Sequence, residues 1–201
     1  MLTHDNFLAI AGVAAGLVGF VGTLPYIRDI FRGKTKPERA MWWIYSLLFG
    51  VLFIAQLDAN AGWLLVATAV YVLSAVIIAI LSVPYGYGRF HRRDWLSLVV
   101  AVAGLGLWWL TDSPLLAIIL VIIIDFAGFW LTLVKTWRAP HSETLISWQL
   151  SCIAAALSLL SIHYWTMAVI IYPIYAVLGT GLIVWLIMYR RRQVAEDVAD
   201  F

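Results

Sequence analysis

Asp125 is the residue best placed to do chemistry. It follows Val121-Ile-Ile-Ile124 and precedes Phe126-Ala-Gly-Phe129 inside the apolar run Leu115–Val134. If that run crosses a bilayer, Asp125 lies near its middle. An ionisable group there is costly unless it faces a bundle interior or a wet cavity, so it marks a functional site by default. Gly128, Phe129 and Thr132 follow at i+3, i+4 and i+7, which makes a small or polar stripe on one helical face. A desolvated carboxyl could bind and release a proton during a transport cycle. A purely structural role stays open: a neutral Asp125 bonded to a facing Tyr or Ser.

Other polar and aromatic residues sit in apolar runs. Tyr71 and Tyr172 occupy similar places in two of them, and a mid-membrane tyrosine needs a partner for its hydroxyl. They are expected as pocket walls. Gln56 is expected to line an outer vestibule. Trp43 and Trp148, near Tyr45, Ser147 and Gln149, suit either interfacial anchoring or gating and stacking. Pro25 lacks a backbone donor and should bend or end its helix, a flexing point beside a gate. Gly12, Gly16 and Gly19 form a small-residue face for close helix packing.

Enzymatic chemistry is not expected. No nucleophile has a matching base, and no glycine-rich phosphate loop occurs. His4, His91, His141 and His163 all fall in termini or loops, so no metal-ligand cluster and no cofactor are anticipated. The last apolar run has no lysine for a retinal Schiff base. The basic loops are explained by membrane orientation, so nucleic acid is not expected as a partner.

The elements that must position these residues follow from composition. The 201-residue chain is 64% hydrophobic and only 12% charged, against about 25% charged in a soluble domain. That points to lipid as solvent. The start of the chain lacks the cations and cleavage pattern of a signal peptide, so the first apolar run is expected to be retained. Seven apolar segments are expected as membrane helices: 7–26, 41–57, 62–84, 95–111, 115–134, 145–162 and 166–189. Between them, all 13 Lys and Arg fall on one side of a seven-crossing arrangement. The positive-inside rule makes that side cytoplasmic, with the N-terminus outside and the C-terminus inside. Residues 190–201 are expected as a solvated cytoplasmic tail. The cell membrane, plasma or inner, is the expected location.

The chain also repeats. Phe20, Gly22, Phe31 and Arg32 align with Phe126, Gly128, Trp137 and Arg138. Glu38, Trp43 and Ser46 then align with Glu143, Trp148 and Ser151, and Tyr71 and Ala75 with Tyr172 and Ala176. The fold class read from this is an all-α integral membrane protein of seven transmembrane helices. Residues 1–84 and 115–189 would be parallel three-helix units, joined through a linker helix within 85–114. Parallel repeats about an axis along the membrane normal are a transporter architecture.

The 3+1+3 plan, the outside N-terminus, the size and Pro25 before a basic loop together resemble the SWEET / PQ-loop superfamily. The family's Pro-Gln pair stands here as Pro25-Tyr26, and the second unit has Leu131-Thr132 at the matching place. The resemblance implies a small-solute transporter, and places an aromatic of the second helix near Phe53. It also covers receptor or chaperone branches. The expected function is passage of a sugar, vitamin or other small metabolite by alternating access. The expected substrate-binding residues are Asp125, Tyr71, Tyr172, Phe53, Gln56, Trp148 and Gln149, with Pro25 and Trp43 gating. The alternatives are a ligand-binding receptor or chaperone, or a non-transporting subunit of a membrane complex. The lipid bilayer and a small solute are the expected partners; homo-oligomerisation is left open.

Overall fold

The computed structural model describes residues 3–34, 37, 39–86, 99, 106, 113–138 and 140–199. The helices are α1 (His4–Phe31), α2 (Arg39–Asp58), α3 (Leu64–Tyr85), α4 (Pro114–Arg138), α5 (Leu145–Leu160) and α6 (Met167–Ala199). A 3-10 turn at Pro140–Ser142 links α4 to α5. No strand occurs among the described residues. The expected linker helix 95–111 lies outside them apart from Val99 and Gly106, both helical.

Local chemistry sets the helix ends. The Thr3 hydroxyl accepts the Asn6 amide at 3.3 Å, and Asp5 adds negative charge to the first turn of α1. At the other end, Gly33 takes φ 68°, and Lys34 N–H returns to Asp29 C=O at 2.9 Å. That left-handed residue closes the helix. Asn60 does the same after α2 with φ 54°, and Ala61 N–H bonds Gln56 C=O at 3.0 Å.

Two expected ends are corrected. α1 does not stop near Pro25 but runs on to Phe31, carrying Arg28 and Asp29 on helix. The fall in hydropathy after Tyr26 marks a change of surroundings, not a break in backbone. Likewise the last helix does not end near Tyr189, since α6 continues to Ala199. Arg190 Nε donates to Trp137 C=O at 3.0 Å. Arg191 donates to Pro140 C=O at 3.2 Å and to Glu143 C=O at 2.7 Å.

The helices pack as a closed ring in the order α1, α3, α2, α4, α6, α5 and back to α1. Exchanging α1, α2 and α3 for α4, α5 and α6 leaves that order unchanged. A hydrogen bond joins the first to the third helix on each side, though from different turns of the first helix. Thr23 on α1 meets Ser74 on α3, 51 residues on; Asp125 on α4 meets Tyr175 on α6, 50 residues on. Glycines permit close approach on α1. A methyl at Gly16 would lie 3.2 Å from Val70 on α3, and one at Gly22 would lie 3.1 Å from Leu150 on α5. The α2–α4 seam is bulkier, built from Leu48, Val51, Leu52, Ala55, Ala117, Ile118 and Val121, with Tyr172 of α6 packed against them.

The outside of the ring is apolar. Phe7, Ile10, Val13, Leu17, Val21 and Leu24 of α1 are all exposed, as are Leu178, Leu182 and Trp185 of α6. By length and composition, His4–Phe31, Leu64–Tyr85 and Met167–Val194 could each cross a membrane. Trp42–Asp58, Pro114–Phe126 and Leu145–Leu160 are shorter apolar helices.

Candidate functional site: an acid among tyrosines

Pro114 opens α4 and carries Asp125 three turns into the ring. There the Tyr175 hydroxyl donates to Asp125 Oδ2 at 2.6 Å. A phenol both donates and accepts. The pair can therefore stay bonded whether or not the acid carries a proton.

Rings surround this bond. Tyr175 lies against Tyr172 (centroids 5.8 Å apart) and against Phe129 (6.3 Å). On the facing helices, Tyr45 stacks on Phe49 at 5.6 Å, and Phe49 meets Tyr71 at 6.0 Å. These separations suit attractive aromatic pairs. Tyr45, Phe49 and Tyr175 all pack against the buried cluster that holds Tyr172. One acid and six rings thus converge from α2, α3, α4 and α6.

Small residues let the rings in. Gly179 faces the Phe129 ring, which a methyl would meet at 3.2 Å. In the repeat expected from the sequence, Gly19 aligns with Asp125. A methyl there would stand 3.5 Å from the Tyr71 ring and 3.6 Å from Ala154 Cβ. The two halves thus present a carboxyl on one side and bare backbone on the other.

A second polar layer lies toward the arginine-bearing ends. Trp42 donates its indole N–H to the Tyr26 hydroxyl at 3.3 Å and meets Tyr45 edge-on at 5.9 Å. In the other half, Trp148 donates to Glu143 Oε2 at 3.0 Å. Pro25, one residue before Tyr26, is half-buried within α1.

The structure sorts the expected residues. Asp125, Tyr71 and Tyr172 come together. Trp148 lies in the second layer. Phe53 and Gln149 are half-buried, outside the ring contacts described above. Gln56 is corrected: it is fully buried and accepts the Thr68 hydroxyl at 2.5 Å, so it ties α2 to α3 and lines no vestibule. Trp43 is 44% exposed, and the inward contacts belong to its neighbour Trp42. The sequence reading missed Tyr175, Phe49, Phe129 and Trp42 as site residues. The signal for Tyr175 was present, as it follows Tyr172 at i+3 on one face. Ligand atoms of His4, Asp5 and His163 lie within 4.8 Å of one another, at the end of the ring opposite the arginines.

Comparison of the chain with family models, curated proteins and solved structures gives no match.

Proposed function

We propose that the chain is a seven-helix integral membrane transporter of the cell membrane, with its N-terminus outside and its C-terminus in the cytoplasm. It passes a small solute by alternating access between two parallel three-helix units joined by a linker helix. Three features support this reading. The ring's outer surface is apolar where a soluble protein would be polar. The Lys and Arg residues segregate to one side of the crossings. The packing order and the pairing of first with third helix recur in the two halves. Resemblance to the SWEET / PQ-loop superfamily agrees with the same plan.

The observation that carries the transport reading is the Asp125–Tyr175 bond inside an aromatic cluster. An acid held by an amphoteric partner can exchange a proton, and the rings can stack on a flat solute. Asp125, Tyr71, Tyr172, Tyr175 and Tyr45 form the binding site. Pro25, Tyr26 and Trp42 gate it with Trp148. Solutes of the right chemistry carry a ring face and a hydrogen-bonding edge: sugars, heterocyclic vitamins and aromatic metabolites. The test is a thermal-shift screen of the purified protein against such metabolites, then flux of each hit in liposomes across a pH range. A stabilising solute that crosses the bilayer, with a pH response that Asp125→Asn abolishes, is expected. No stabilising solute and no flux would overturn the proposal. Flux whose pH response survives Asp125→Asn would remove the acid as proton carrier.

A further inference from the structure

At the end of the ring away from the arginines, three side chains that the transport site does not use come together. His4 is the first residue of α1, Asp5 follows it, and His163 lies in the turn between α5 and α6. Each offers one ligand atom, and the three atoms lie within 4.8 Å of one another. His163 Nδ1 stands 3.8 Å from Asp5 Oδ1. The His4 and His163 rings meet edge to face, with centroids 5.8 Å apart.

The backbone on both sides is held. The Thr3 cap fixes the start of α1. In the turn, Thr166 N–H bonds Tyr164 C=O at 3.0 Å, and the Tyr164 ring lies edge-on to His163 at 4.3 Å. The first turn of a helix repels cations, and the Asp5 carboxylate offsets this.

Two imidazoles and one carboxylate form a donor set suited to zinc. Calcium and magnesium favour oxygen ligands alone, whereas Zn²⁺ takes His nitrogen and Asp oxygen at about 2.0–2.2 Å in tetrahedral sites. Ligand atoms around such an ion stand roughly 3.3–3.5 Å apart. The side chains therefore need to close by little more than about 1 Å. Asp5 and His163 have side chains 78% and 40% exposed, so rotamer changes can supply that movement. Water completes the shell.

We propose that His4, Asp5 and His163 form a binding site for a divalent transition-metal ion of the zinc class. Bound metal fastens the start of α1, in one half of the ring, to the α5–α6 turn in the other. The site does not depend on the transport reading. The test uses tag-free full-length protein in detergent, titrated with Zn²⁺ by calorimetry and with Co²⁺ by visible absorption. One saturable equivalent is expected, with the strong d–d bands of tetrahedral cobalt and a rise in unfolding temperature. His4→Asn, Asp5→Asn and His163→Gln should each weaken binding at least about tenfold. The metal-free unfolding temperature should be unchanged in His4→Asn and His163→Gln, whose side chains are exposed, and fall slightly in Asp5→Asn, which loses charge at the start of α1. His141→Asn, at the other end of the ring, should leave binding intact. Absence of saturable binding overturns the proposal, and so does binding that survives His163→Gln or is lost in His141→Asn.

Discussion

Tyr175 on α6 and Asp125 on α4 are joined by a 2.6 Å hydrogen bond, and Ser74 on α3 and Thr23 on α1 are joined by a longer one of 3.3 Å. The position that ties the third helix to the first is thus a tyrosine in one half and a serine in the other. Their partners differ correspondingly. Thr23 lies one turn beyond Gly19, which the expected repeat aligns with Asp125, so the short serine and the long tyrosine reach different turns.

These two bonds should differ in worth. Tyr175→Phe leaves a carboxyl without its donor, which costs about 1–3 kcal/mol. Thr23→Val removes a neutral bond worth about 0.5–1.5 kcal/mol. Reversible unfolding in mixed detergent micelles should rank them in that order. Equal losses would show that the Asp125 bond adds nothing to stability beyond an ordinary hydroxyl pair.

Gly12 and Gly50 should respond oppositely to alanine. A Cβ at Gly12 would collide with the Trp63 carbonyl oxygen, while one at Gly50 meets nothing within 4 Å. Overpacking against backbone costs about 1–3 kcal/mol. Alanine in an open helical position gains up to about 1 kcal/mol over glycine. Unfolding midpoints of Gly12→Ala and Gly50→Ala should therefore shift down and up respectively. A Gly12→Ala protein as stable as wild type would refute the close α1–α3 contact.

Gln56 and Thr68 form a buried polar pair whose amide Nε2 has no hydrogen-bond partner among the described residues. Thr68→Val strands the Gln56 carbonyl as well, at about 1–3 kcal/mol. Replacing both, as Gln56→Leu with Thr68→Val, removes the stranded groups together and should cost less than Thr68→Val alone. A double-mutant cycle reads the coupling directly. Additive losses would mean that the two side chains do not interact.

Trp42 and Trp43 separate gate from surface. Trp42→Phe breaks the bond to Tyr26, whereas Trp43→Phe alters an exposed ring. Under the proposed transport cycle, flux in liposomes should fall several-fold in the first and stay near wild type in the second. The reverse result would return the gate to Trp43.

How far the sequence spoke depended on the kind of information needed. Apolar runs bounded by Pro114, Thr144 and the Ala59–Trp63 turn located helices to within a few residues, because burial follows composition. Continuation of α1 through Pro25 was hidden, since the same drop in hydropathy accompanies a helix leaving an apolar layer and a helix ending. The arginines after Tyr189 concealed the rest of α6 for the same reason. Asp125 stood out because a lone acid in an apolar run is costly anywhere. Its partner did not, because which tyrosine it meets depends on the register between α4 and α6. Choosing Trp42 over Trp43 needs the rotation of α2, about 100° per residue, which a short aromatic run does not encode. His4 and His163 could be joined only by knowing that α1 and α5 run antiparallel side by side.

The unbroken course of α6 has a mechanical consequence. From Tyr175 to Arg191 it is one helix, a rod of about 24 Å. Its upper end grips Asp125, and its lower end is clasped to the carbonyls of Trp137, Pro140 and Glu143. Pro173 interrupts the backbone bonding just above the grip, between Tyr172 and Tyr175. A stiff shaft with a compliant joint at its head has the form of a lever. Under the proposed transport cycle, loosening Tyr175 from the acid would let the shaft swing about that joint, and the arginines would carry the swing into the Pro140–Ser142 turn and the Glu143–Trp148 contact.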